Sequence, residues 1–89
     1  MNAFVRKLEE MGFEPSKLAG VRSTWCRPHA LLRQVGLFFR PDGSSSVRLY
    51  LTDGRRGRMV NIRGDSPRAM RSIIWYNSPF ATFDSEPTP

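Results

Sequence analysis

The densest chemistry in the 89-residue sequence is the run Gly54-Arg55-Arg56-Gly57-Arg58. Glycines beside guanidinium groups let a loop turn its amides outward next to fixed positive charge, and that combination binds anions such as phosphate. A solvated hairpin tip without a partner is the plain alternative, since short basic loops also arise by chance. Arg68 and Arg71 stand near enough to extend the patch or to be ordinary surface residues.

A second constellation comes from alternation. If the segments around Leu37, Val47 and Val60 are strands, Leu37, Phe39, Val47, Leu49, Leu51, Val60 and Ile62 share one face. The opposite face then carries Phe38, Arg40, Arg48, Tyr50, Met59, Asn61 and Arg63. Aromatic rings interleaved with arginines suit single-stranded nucleic acid, because bases stack on rings while guanidinium groups hold phosphates. The competing reading makes Phe38 and Tyr50 a cross-strand pair, or covers them with the segment His29 to Val35.

Cys26-x-x-His29 has the spacing of half a zinc site, but the chain has one Cys and one His, too few for a tetrahedral structural site. As a nucleophilic pair the two would need an orienting residue and a pocket. There is no phosphate-binding glycine motif, and the eight acids are scattered. The expectation is a non-enzymatic protein with no cofactor and no metal.

Composition sets the class. Ten aromatics and 39% apolar residues are too many for a disordered chain, and the length suits one modest core. Net charge is +6, and twelve of the fourteen cations are Arg, the side chain that contacts phosphate in pairs and stacks on flat rings. A single cysteine fits a reducing compartment. No apolar run nears the roughly 20 residues of a membrane span, and Met1 to Arg6 has no signal-peptide character. A cytoplasmic location without membrane contact is expected.

These residues must be positioned by a small number of elements. The spacing of Phe4, Leu8 and Met11 predicts a helix over about Ala3 to Met11, capped by Asn2 and ended by Gly12, with Phe13 folding back on Leu8. Glu14 to Gly20 reads as a turn, Val21 to Arg27 as a strand, and His29 to Val35 fits helix or strand equally. A meander follows: Leu37 to Arg40, a Pro41-Asp42-Gly43 turn, Val47 to Thr52, the arginine loop, then Arg58 to Arg63. Ser66-Pro67 opens a second helix to Tyr76 with the stripe Ala69, Met70, Ile73 and Ile74. The predicted fold is two-layer α+β: an antiparallel sheet of three to four strands with an N-terminal and a C-terminal helix on one face. Residues 1–83 form the domain and residues 84–89 a flexible tail.

The run Leu8-Glu9-Glu10-Met11-Gly12-Phe13, with Gly20 and Ser23 to Arg27, resembles the opening of HicA-type toxins, small RNA-cleaving proteins with a double-stranded-RNA-binding-like fold. The resemblance covers about a quarter of the chain. That family places a histidine after the glycine, where Val21 and Arg22 stand here, and His29 does not match the position. The resemblance therefore implies no catalytic residue.

The functional expectation is a nucleic-acid-binding module, for RNA or single-stranded DNA, using Arg55, Arg56, Arg58, Arg48, Arg63, Arg40, Tyr50 and Phe38. The alternative is a phage-type accessory or inhibitor protein that docks on a larger protein or nucleoprotein complex. Its arginines would then pair with an acidic protein surface, with Trp75, Tyr76 or Phe80 as anchors. Homodimerisation through a sheet edge is compatible with both.

Overall fold

In the computed structural model, which describes residues 2–16, 23–64 and 67–85, the alternating segments form one antiparallel sheet of five strands, not three or four. Its strands are β1 (Glu14–Ser16), β2 (Ser23–Cys26), β3 (Leu32–Phe39), β4 (Ser45–Thr52) and β5 (Gly57–Arg63), paired in chain order. Helix α1 (Asn2–Glu10) precedes the sheet and α2 (Arg68–Tyr76) follows it.

The end of α1 follows from its sequence. Gly12, at φ 89°, takes the left-handed conformation that a glycine adopts without strain. Its N–H reaches Glu9 O at 3.0 Å and that of Phe13 reaches Leu8 O at 3.1 Å, the pair of bonds that closes a glycine-terminated helix. Leu8 and Phe13 are both buried, as their spacing requires. In α2, Ala69, Ile73 and Tyr76 turn inward, while Ile74, expected in the stripe, is exposed. The expected cap, Ser66, lies outside the described residues, as do residues 17–20 of the expected turn and Val21 and Arg22 of the expected strand.

One core joins both helices to the sheet. Leu8 from α1 and Ala69, Ile73 and Tyr76 from α2 meet Trp25, Leu32, Val35, Leu37, Val47, Leu49 and Leu51. Register explains the choice: Trp25, Val35, Leu49 and Val60 lie in one cross-strand row, and Leu37, Val47 and Ile62 in the next. A bulge between Leu32 and Gln34 sets Arg33 aside, so Leu32 and Val35 both face the core although they are three residues apart.

The expected turn at Glu14 contains a strand instead. Glu14, Pro15 and Ser16 pair with Cys26, Trp25 and Thr24, and the pairing itself makes β1, since its residues have low strand preference. The segment His29 to Val35 resolves into a turn, with His29 at φ 65°, and the first half of β3. It continues the sheet and does not fold over Phe38 and Tyr50.

Candidate functional site

With both helices on one face, the sheet's other face has no described element over it. Register gives its contents as rows running across the strands. Glu14, Cys26, Gln34, Tyr50 and Met59 form one row, and Ser16, Thr24, Gly36, Arg48 and Asn61 the next. Phe38, Ser46 and Arg63 form the third. Arg40 follows the end of β3, where its guanidinium donates to Ser44 Oγ at 3.4 Å across the turn.

Five of the sequence-predicted residues thus reach the expected face or its end: Phe38, Arg48, Tyr50, Arg63 and Arg40. Phe38 and Tyr50 are not cross-strand partners; Phe38 pairs with Ser46 and Tyr50 with Gln34. Both rings lie over glycines. A Cβ on Gly36 would sit 3.0 Å from the Phe38 ring, and one on Gly57 would sit 2.8 Å from Tyr50 ring carbons. Glycine at these positions lets each ring lean along the sheet. The Arg48 guanidinium stacks on Phe38, 4.4 Å from the ring centre, while its Nε donates to Asn61 Oδ1 at 2.9 Å. The two terminal nitrogens of Arg48 have no partner among the described residues.

The arginine loop is arranged differently from the sequence expectation. The amides expected to face an outside anion are already bound. Asp53 Oδ1 accepts from the N–H groups of Arg55 and Arg56 at 2.9 and 2.8 Å, and Thr52 Oγ1 accepts from Gly54 N–H at 3.0 Å. The loop's own carboxylate fills its anion site. Those backbone bonds, with the Arg56 guanidinium, hold the Asp53 carboxyl down at about 2, so it is charged at any ordinary pH.

Arg56 is spoken for as well. It pairs with Asp53 at 3.0 Å and Asp84 at 3.5 Å and lies 4.4 Å over the Phe83 ring. Arg58 is a correction of position. It shares a row with the core residues Leu32 and Leu51, which turns it to the helix face. There it donates to Phe83 O and Ser85 O, each at 2.9 Å, and to Tyr76 Oη at 3.3 Å. These bonds tie the carbonyls of Phe83 and Ser85, on either side of Asp84 where the tail was expected to begin, to β5. Of the loop arginines, Arg55 alone is exposed without a side-chain partner among the described residues.

Three site residues escaped the sequence reading: Thr24, Gln34 and Gly36. They line a hollow of ≈ 80 Å³ on the open face with Phe38, Arg48, Tyr50 and Met59. Gly36, a glycine within an otherwise alternating strand, was the available signal, because such a residue marks a close approach or a gap. A wider trough shares Gln34 and Tyr50 with the hollow and is lined also by Cys26, Arg33, Thr52 and Gly54. Cys26 lies in that trough as a hydrogen-bond partner, accepting from Gln34 Nε2 at 3.5 Å and contacting Ser16 Oγ at 3.2 Å.

Among the described residues no helix is long and apolar enough to cross a membrane, and no group of three or more His, Cys, Asp and Glu is placed to hold a metal ion. Comparison with known proteins finds no match to this chain among protein families, curated proteins or solved structures.

Proposed function

We propose that the chain is a non-enzymatic module that binds single-stranded nucleic acid, RNA or DNA, on the open face of its sheet. One observation carries the reading: Phe38 and Tyr50, each with its ring against a glycine, share that face with Arg48 and Arg63, and the Arg48 guanidinium stacks on Phe38. Rings stack on bases of any identity, and the neighbouring guanidinium groups meet the phosphates between them. The loop plays a smaller part than its composition promised, because Asp53 and Asp84 already engage Arg56 and the tail carbonyls engage Arg58.

That division has a measurable consequence. On a single strand each neutralised phosphate contributes about −0.7 to the slope of log affinity against log salt. Contacts from Arg48 and Arg55 give a slope of roughly −1.4. Fluorescence anisotropy of a labelled oligonucleotide at several ionic strengths reads it directly. A slope near zero would remove phosphate contacts from the mechanism, and one of roughly −2.8 or steeper would return the whole loop to it.

A second reading is favoured by the other side of the molecule. Phe80 is 79% and Ile74 47% exposed, and exposed apolar side chains of this size are candidate anchors for a protein partner. Tyr76, also expected as an anchor, is buried, and Trp75 is partly buried against the core. For self-association, β1 is three residues long and contains Pro15, which blunts that edge; β5 is the longer one.

A further inference from the structure

We propose that the hollow centred on Gly36 is a reading pocket for a single unpaired keto base, uracil or thymine, with the Thr24 hydroxyl as its hydrogen-bonding partner. The proposal rests on the reading that the open face binds single-stranded nucleic acid, and it adds base selectivity to a surface that would otherwise stack on any base.

The hollow exists because the middle of a cross-strand row is empty. Thr24, Gly36 and Arg48 stand side by side on three adjacent strands, and Gly36 has no side chain to fill the space between its neighbours. Phe38 bounds one end and Gln34 and Tyr50 the other, with Met59 beyond. The resulting ≈ 80 Å³ has room for a few waters or, in their place, one six-membered ring. It is far below the size of a site for a drug-sized molecule.

A second observation points to a ligand independently of shape. Thr24 is 3% exposed, and its Oγ1 is buried without a hydrogen-bond partner. Other buried polar atoms share that condition, but Thr24 is the one that lines this hollow. A buried hydroxyl left unpaired is costly, and such groups persist where something outside the fold completes them.

The polar groups around the rim specify the chemistry. Thr24 offers one hydroxyl, and Arg48 offers terminal N–H groups not engaged by Asn61. The Gln34 carboxamide is oriented by its bond to Cys26, which leaves one N–H and the carbonyl oxygen. Donors outnumber acceptors, and no carboxylate lines the hollow. A cation is disfavoured there, whereas a flat ring with carbonyl oxygens and one N–H, the edge of uracil or thymine, meets each group. Adenine has no carbonyl and accepts only at its ring nitrogens, so it meets fewer of the donors.

The test compares binding of short oligo-dT and oligo-dA to the wild type, Thr24→Val and Gly36→Ala, with thermal melting of each protein. Valine keeps the shape of threonine and removes the hydroxyl; alanine puts a methyl on the floor of the hollow, in contact with Phe38. The wild type is expected to prefer oligo-dT by about tenfold. In Thr24→Val the preference collapses, affinity for oligo-dA stays within about twofold, and the melting temperature rises because an unsatisfied hydroxyl is gone. Gly36→Ala, folded by the same melting criterion, loses the preference too. An unchanged preference in Thr24→Val, a lowered melting temperature in it, or equal binding of both oligonucleotides by the wild type overturns the pocket while leaving the open face as a binding surface. Failure of the wild type to bind either oligonucleotide overturns the parent reading.

Discussion

Replacing Phe38 and Tyr50 together by leucine is expected to weaken binding of a single-stranded oligonucleotide by at least about 30-fold. Each base stacked on an aromatic side chain contributes about 1–3 kcal/mol, so losing two rings removes about 2–6 kcal/mol. Leucine is the informative replacement because both rings cover glycines, Phe38 over Gly36 and Tyr50 over Gly57. An aliphatic side chain keeps much of that cover while removing the flat face. The melting temperature should therefore move by only a few degrees while anisotropy titrations show the loss. Loss of affinity within about threefold would mean that the rings serve the sheet and not a ligand.

The second large effect is on stability. Arg58→Met should destabilise the fold by about 2–3 kcal/mol, since hydrogen bonds to a charged group are worth about 1.5–3 kcal/mol net. The guanidinium holds two backbone carbonyls and the hydroxyl of Tyr76, a buried core residue at the end of α2. In a domain of this size that corresponds to a fall of roughly 10–20 °C in melting temperature. Well below that temperature, oligonucleotide affinity should stay within about twofold, because Arg58 is turned away from the open face. The converse is expected of Arg48, whose loss removes affinity and leaves melting nearly unchanged. If Arg58→Met bound weakly and melted normally, the arginine would belong to the interface after all.

The contrast between these two arginines shows what a linear reading captures and where it stops. Period-two alternation from Leu37 to Ile62 identified the buried face of the meander except at Phe39, which ends β3 and is exposed, and, by subtraction, put Phe38, Arg48, Tyr50 and Arg63 together. Carried back two residues from Val60, the same rule turns Arg58 inward as well, a step the sequence reading did not take because Arg58 stands at the end of a charged glycine loop. Asp53-Gly54 was legible as a turn; that the aspartate would occupy the amides of its own loop depends on three-dimensional closure, although aspartate at the start of a turn is the residue that does this.

The strands missed by pattern have physical reasons. The bulge at Arg33 puts Leu32 and Val35 on one face at a spacing of three, which mimics a helix and hides the first half of β3. Glu14-Pro15-Ser16 has no strand signature, and the neighbouring β2 imposes the conformation on it. With β3 shortened and β1 unseen, the sequence reading lost the row of Thr24, Gly36 and Arg48. The hollow is a property of that register and not of any motif.

The most direct test follows backbone amide resonances of isotope-labelled protein during titration with oligo-dT. The open-face reading expects the largest shifts at Thr24, Gln34, Gly36, Phe38, Arg48 and Tyr50, with α2 and Phe80 nearly still. Shifts concentrated on Ile74, Phe80 and the outer side of α2, or confined to Arg55 and its loop, would contradict it.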